Sequence, residues 1–296
     1  MKKVNESLDI VTMKDIEIHK TLTHDELEKD LTNVRSFNVI ANRKSFYGNP
    51  FQYHFQMMNL LNCKRDSGQT LYEYYADPIK WSKLIGSTRN RNRGGRTAAG
   101  NVYECHRINT GSIVMFKATT AKYLYAKYKA TKVLDPCAGW GGRMIGAWAL
   151  DIDYTGIDTN TELMPAYNGM METMNDYGLT SGSKLSMIWE SCLDVDFSEI
   201  EYDMILTSPP YINMELYEHM EAWDNDQAFY EGFFLPLFNK CKKHIKTGGT
   251  IAFNISPKMY EDALTYGLPV CDEDENLLQQ MGSTTKKQDK IYIWKC

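Results

Sequence analysis

The stretch 203–211, DMILTSPPY, combines residue types that do not belong inside an ordinary strand. An apolar run typical of a buried strand is followed by hydroxyl groups, two prolines and an aromatic ring. Proline lacks the N–H that a central strand needs, so the strand has to end at this point. Ser208, the carbonyl of Pro209 and the ring of Tyr211 are therefore presented at the strand's carboxyl end.

A second stretch, 135–142 or DPCAGWGG, lies between a short β-branched segment and a helical pattern. Glycines at a strand-to-helix turn allow a ligand to approach the backbone closely. The dinucleotide fingerprint G-x-G-x-x-G is incomplete, because Gly139 and Gly141 fit it but Met144 occupies the third position. The loop opens with Asp135 instead, and a carboxylate suits a ligand with an amino group or positive charge better than phosphates.

Two more acids follow the next two predicted strands. Asp158 lies about 20 residues further on, where an acid can accept hydrogen bonds from ribose hydroxyls. Asp194, in SCLDVDF, could accept a hydrogen bond from an adenine amino group. Three acids at three successive strand ends describe a nucleoside with a cationic tail, and S-adenosylmethionine fits that description. Each acid taken alone could equally be an ordinary helix cap.

The elements that must position these residues form a regular pattern from about Lys132. Strand-like segments alternate with amphipathic helical ones, which predicts an α/β fold with a mostly parallel sheet and helices on both faces. Ligands of such sheets bind outside the carboxyl ends of the strands, where the residues above lie. Residues 1–110 differ, because they contain polar segments and helical pieces and predict a mainly helical N-terminal region.

The blocks VLDPCAGWGGR and DMILTSPPY together resemble the amino-group methyltransferases that use S-adenosylmethionine. The acceptors of that family are adenine N6, cytosine N4 and some guanine N2 amines. The resemblance covers roughly residues 111–296 and implies a Rossmann-like class I methyltransferase domain with a seven-stranded sheet. Residues 1–110 would then form a substrate-recognition or accessory part, since no separate recognition domain of the usual size fits elsewhere.

The resemblance also implies two sets of site residues. The segment MFKATTAKYLYAKY resembles the family's extra helix at the methionine end of the cofactor, although it could also be a plain amphipathic helix. The catalytic tetrapeptide would be Ser208, Pro209, Pro210 and Tyr211. Cofactor-binding residues would be Asp135, Pro136, Cys137, Ala138, Gly139, Gly141, Asp158, Asp194, Lys117 and Thr119.

The tetrapeptide suits methyl transfer to an exocyclic amine, whose lone pair is conjugated into the base. Acceptors around the N–H groups can free that lone pair, and Ser208 Oγ and the Pro209 carbonyl are the candidates. Tyr211 would stack on a base flipped out of its helix. In the family that the sequence resembles, serine in the first position favours cytosine N4, which places cytosine N4 slightly ahead of adenine N6 here. A guanine amine, a protein glutamine amide and an inactive nucleic-acid-binding module remain alternatives, as does a rigid turn without function.

A basic segment supplies a candidate nucleic-acid contact. The chain carries a net charge of −5, yet the segment from Lys80 to Arg107 is rich in basic residues and contains a single acidic residue, Glu104. We expect a flexible loop at 87–100 whose guanidinium groups bind phosphates, although a merely solvated loop is the alternative. The partner would be a nucleic acid, with DNA favoured over RNA. The proposed phosphate-binding residues are Arg89, Arg91, Arg93 and Arg96.

The cysteine pattern and hydropathy bound the remaining possibilities. Seven cysteines occur singly, without a CxxC pair, which predicts reduced thiols. Cys241 and His244 have helical spacing but no second ligand pair, so we expect no metal. The first twenty residues contain no continuous apolar stretch, and no run approaches a membrane span. We therefore expect a soluble intracellular protein, cytoplasmic or associated with a nucleoid or nucleus. The sequence does not determine its oligomeric state.

Overall fold

The computed structural model describes residues 8, 10–41, 45–64, 68–91, 96–111, 113–177, 182–211, 223–276 and 289–296. Within these residues seven strands form one sheet. The strands are β1 (Lys132–Asp135), β2 (Asp153–Ile157), β3 (Leu185–Ile188), β4 (Met204–Thr207), β5 (Thr250–Ile255), β6 (Glu273–Glu275) and β7 (Lys290–Lys295).

The strand order is β3-β2-β1-β4-β5-β7-β6. Neighbouring strands from β3 to β5 pair in parallel, whereas β7 runs antiparallel to both β5 and β6. The prediction of a mostly parallel, Rossmann-like sheet of seven strands is therefore confirmed. The short strand β6 was not indicated by the sequence, because its three residues are all acidic and show no alternation of polar and apolar side chains.

The described helices cover the N-terminal region and both faces of the sheet. They are α1 (Met13–Ile18), α2 (His24–Ser36), α3 (Asn49–Asn62), α4 (Leu71–Ala76), α5 (Pro78–Arg91), α6 (Ala98–Asn109), α7 (Ala118–Tyr128), α8 (Gly142–Trp148), α9 (Met164–Asp176), α10 (Asp226–Phe229), α11 (Leu235–His244) and α12 (Pro257–Thr265). A π-helical segment, Tyr230–Phe234, joins α10 to α11 just before Pro236, which cannot donate a backbone hydrogen bond.

Adjacent side chains of the central strands point to opposite faces, and each face is buried. Val133 belongs to the cluster on one face, with α7, α8 and α9, while Leu134 belongs to the other, with α10, α11 and α12. Ala252 and Phe253 divide in the same way. This arrangement leaves the strand ends as the accessible part of the sheet.

The N-terminal helices share a core with the sheet. Leu31 and Val34 of α2 and Phe51 of α3 are fully buried in the same cluster as Val133 and Met204. A smaller cluster, which includes Ile16 and Val102, lies within the N-terminal region. The division into residues 1–110 and 111–296 is therefore a boundary in sequence pattern, across which the hydrophobic packing is continuous.

The basic segment differs from the predicted loop at 87–100. Helix α5 extends through Arg91, and α6 begins at Ala98, so Arg89 and Arg91 occupy the last turn of a helix. Basic residues at that end interact favourably with the negative end of the helix dipole, which explains why the helix continues into an arginine-rich stretch. Arg93 lies outside the described residues.

Candidate active site

The glycine loop between β1 and α8 has one open position and two packed ones. Gly139 and Gly141 have φ angles of +57° and +89°, which favour glycine. A Cβ atom at Gly139 would meet nothing within 4 Å, whereas one at Gly141 would lie 2.8 Å from Met170 Cε. At Gly142 it would overlap the carbonyl oxygen of Phe116. Space for a ligand is therefore found at Gly139, and the other two glycines permit close packing.

Helix α3 holds this loop from the N-terminal region. The side-chain amides of Gln52 and Gln56 donate hydrogen bonds to the Trp140 carbonyl at 3.0 and 3.3 Å. Both glutamines are fully buried. They were not singled out from the sequence, although two glutamines four residues apart in a helix rich in apolar residues were a usable signal. The N-terminal region therefore helps to shape the predicted cofactor loop.

Asp158 lies directly beside the open glycine. One of its carboxylate oxygens accepts a hydrogen bond from the Gly139 N–H at 2.7 Å, and the other accepts from the Asn160 N–H at 2.9 Å. Burial raises the pKa of Asp158, and these two backbone hydrogen bonds oppose the shift. A carboxylate oxygen has a second lone pair, so ligand hydroxyls can still bind. Asp194 lies in an exposed turn after β3, and no described contact links it to the loop.

Asp135 forms a buried ion pair with Arg143 of α8. The carboxylate accepts from Arg143 Nε at 2.6 Å and from the Tyr154 hydroxyl at 2.7 Å. The side chains are only 0% and 4% exposed. Burial lowers the pKa of Arg143, but the neighbouring Asp135 outweighs it and raises that pKa overall. From the sequence we expected Asp135 to face a ligand with an amino group or positive charge; in the structure a neighbouring arginine supplies the positive charge instead.

Arg143 also connects the glycine loop to Ser208. Its guanidinium donates to the Cys137 carbonyl and, at 2.9 Å, to Ser208 Oγ. The Asn254 amide at the end of β5 donates to the same oxygen at 3.1 Å. A hydroxyl oxygen has two lone pairs, and both are engaged. This differs from the expectation that Ser208 accepts a hydrogen bond from the substrate amine. Arg143 and Asn254 were not identified from the sequence.

The rest of the tetrapeptide is held near β7. Pro209 is buried, and Pro210 and Tyr211 are partly buried. The Tyr211 hydroxyl donates to Asp289 at 2.7 Å. Burial raises the pKa of Asp289, and the hydrogen bond from Tyr211 opposes that shift. The segment that follows Tyr211, which by its sequence could form either a lid over a flipped base or a cover of the sheet, lies mostly outside the described residues.

Lys117 and Thr119 face the N-terminal region. Lys117 Nζ lies 4.5 Å from the centre of the Phe46 ring, and the buried Thr119 hydroxyl donates to the Ser45 carbonyl at 3.3 Å. A cavity of about 620 Å³ beside them is lined by Ser45, Phe46 and residues of α2, and its lining does not include Ser208 or Asp158. Their described contacts therefore do not join them to the glycine loop.

Four basic residues surround Glu104 in the N-terminal region. Arg96 and Arg107 lie 3.7 and 3.2 Å from its carboxylate. Burial lowers the pKa of Lys20, and the nearby charges of Arg96 and Arg107 lower it further. Arg91 and Arg96 line a common cavity of about 380 Å³ with Glu104. The structure thus brings the predicted Arg91 and Arg96 together, and Lys20 and Arg107 join them in one basic cluster. Arg89 is exposed and does not line this cavity, although its neighbour Thr88 does.

Within the described part of the chain we find neither a metal-binding cluster nor a membrane-spanning helix. There, no three His, Cys, Asp or Glu side chains lie close enough together to hold a metal ion. None of the helices described above combines the length and apolarity needed to cross a bilayer.

No family model matches the chain, and no curated protein matches it. Solved structures give distant similarities. An rRNA methylase from Streptococcus thermophilus is 13% identical, with a TM-score of 0.39, over 62% of this chain and 97% of that one. An RNA methyltransferase from Salinibacter ruber, in complex with S-adenosyl-L-homocysteine, is 13% identical, with a TM-score of 0.37, over 62% and 93%. A SAM-dependent O-methyltransferase from Thermotoga maritima is 11% identical, with a TM-score of 0.42, over 64% and 69%.

Proposed function

We propose that this protein transfers a methyl group from S-adenosylmethionine to an exocyclic amino group of a nucleic-acid base. One observation carries the proposal: Arg143 joins the glycine loop, through Asp135 and Cys137, to Ser208. A cofactor over Gly139 and an acceptor at the tetrapeptide would therefore be neighbours. Short distances between reacting groups supply much of the rate of such transfers.

The residues of the glycine loop fit the cofactor. The space above Gly139 admits a ligand, and Asp158 beside it offers carboxylate lone pairs to ribose hydroxyls. Asp135 Oδ1 is buried and accepts no hydrogen bond from a described residue, so a polar ligand group is a suitable partner. S-adenosylmethionine would supply an electrophilic methyl group. The lone pair of the amine would form the new N–C bond while the S–C bond breaks and its electron pair returns to sulfur. The proton of the amine would then be released to solvent.

The tetrapeptide would bind the acceptor base. The Pro209 carbonyl is the candidate acceptor for an amino N–H, because the following proline restricts the backbone and has no N–H of its own. The ring of Tyr211 would stack on a flipped base, a contact worth about 1–3 kcal/mol. Asp289 would hold that ring in place through the tyrosine hydroxyl. DNA is the proposed substrate, with cytosine N4 ahead of adenine N6.

The basic cluster of Lys20, Arg91, Arg96 and Arg107 would contact the phosphate backbone. Each phosphate contact contributes about 0.9 to the slope of log affinity against log salt concentration. Replacing Arg91 and Arg96 with alanine should therefore lower that slope by up to about two. The matched control replaces the exposed Lys242 and Lys243 of α11, which removes the same charge elsewhere. An equal decrease in both variants would contradict a specific role for the cluster.

Mass spectrometry of nucleosides tests the proposal. DNA and RNA are incubated separately with the protein and a methyl donor carrying an isotope label, then digested and analysed. Labelled N4-methylcytosine or N6-methyladenine from DNA is the expected result, and a labelled base from RNA alone would move the assignment to RNA. Tyr211→Ala should lose the activity, and Tyr75→Ala, at an exposed tyrosine, should keep it. Binding of S-adenosylmethionine without any product would instead indicate the inactive binding module.

A further inference from the structure

The hydrogen bonds around Ser208 fix what its hydroxyl group can still do. Arg143 Nη1 and Asn254 Nδ2 point at the oxygen from 2.9 and 3.1 Å. Guanidinium and amide N–H groups only donate, so neither nitrogen can take the serine proton. With both lone pairs engaged, the proton of the hydroxyl group is what remains for a third partner.

Both donors are buried in the protein interior. Arg143 is fixed by the Asp135 carboxylate and the Cys137 carbonyl, and its side chain is only 4% exposed. Asn254 is 7% exposed and projects from the central strand β5. Ser208 itself is only partly buried, so its free proton can reach a ligand. A donor built in this way is preorganised for one hydrogen-bond acceptor.

We infer that the Ser208 hydroxyl donates a hydrogen bond to an acceptor atom of the substrate, and that this atom lies next to the methylated amine. This inference rests on the proposed function and narrows its substrate class. The Pro209 carbonyl would accept from the amine while the Ser208 hydroxyl donates to the neighbouring atom. Cytosine meets this pattern with N4 beside N3, and adenine meets it with N6 beside N1. An alkyl amine, such as that of lysine, has no adjacent acceptor and is excluded.

A deaza substitution tests the inference, because it replaces the ring nitrogen with C–H and keeps the amine. Oligonucleotides with cytosine and 3-deazacytosine at the target position, or adenine and 1-deazaadenine, are compared by kcat/KM. For the wild-type protein kcat/KM should be about 10- to 100-fold lower with the deaza base, because the Ser208 hydroxyl loses its hydrogen-bond partner. For Ser208→Ala the two bases should differ by much less, since the donor is absent from both reactions.

The outcomes separate the inference from the proposed function. A methylated product with an equal deaza penalty in wild type and Ser208→Ala, or with none in wild type, would overturn the donor role and leave methyl transfer standing. An Asn254 amide turned by 180°, whose Oδ1 would accept a hydrogen bond from the serine hydroxyl and free a lone pair, would give the second of these results, no penalty in wild type. No product from any substrate would remove both proposals. Ser208→Thr, which keeps a hydroxyl, should keep the penalty, and the wild-type comparison needs no variant to fold.

Discussion

Replacing Arg143 with methionine should destabilise the protein strongly, because it leaves the carboxylate of Asp135 buried without its countercharge. Asp135 is 0% exposed and would keep only the hydrogen bond from the Tyr154 hydroxyl. Removing one partner of a buried ion pair costs about 3–5 kcal/mol. The total stability of a domain is about 5–15 kcal/mol, so the loss is a large fraction of it.

Urea denaturation measures this effect. With a slope near the upper end of about 1–3 kcal/mol per molar urea, a loss of that size lowers the midpoint by about 1–2 M. The double variant Asp135→Asn with Arg143→Met removes both charges and keeps a group that can accept from Tyr154. It should therefore recover at least half of the lost midpoint, because the uncompensated charge is the main penalty.

A surface arginine provides the matched control. Arg35 pairs with Asp151, whose side chain is 50% exposed, and such pairs contribute about 0–1 kcal/mol. Arg35→Met should therefore change the midpoint far less than Arg143→Met. The reasoning would be refuted if Arg143→Met lowered the midpoint by no more than the Arg35 control, or if the double variant were as unstable as the single one.

Three further predictions follow from the same packing. Gln52→Leu removes a 3.0 Å hydrogen bond to the glycine loop and should weaken S-adenosylmethionine binding about fivefold by calorimetry, whereas Gln227→Leu, at an exposed position of α10, should have no effect. Gly142→Ala should prevent stable folding because its Cβ would overlap the Phe116 carbonyl, whereas Gly86→Ala, in open space on α5, should raise the stability by about 0.5–1 kcal/mol; equal thermal midpoints would contradict this. Burial raises the pKa of Asp289 in the folded protein above its ordinary value of 3.8, so the contribution of Asp289 to stability falls as pH rises from that value through the folded pKa. Asp289→Asn should therefore gain stability relative to wild type over that pH interval, and a difference that stays constant with pH would show that Asp289 does not titrate in this way.

The sequence predicted the architecture well because hydrophobic alternation and glycine positions are local signals. The strands around Val133 and Phe253 and the turn at Gly139 could be recognised from neighbours a few residues away. The basic segment was harder, because arginine suits both a solvated loop and the last turn of a helix. Only the tertiary contacts of α5 and α6 decide between them at Arg91.

The order of residues by itself determined that a glycine turn and a Ser-Pro-Pro-Tyr segment would both lie at the carboxyl edge of a parallel sheet. It did not determine how the polar groups there would pair. Arg143, which bonds to both Asp135 and Ser208, is 8 residues from the first and 65 residues from the second. Asn254, which also bonds to Ser208, is 46 residues beyond it. Such pairings depend on burial and on the adjacency of β1, β4 and β5 in the folded sheet, because a hydrogen bond in the interior forms with whichever group the packing brings within reach.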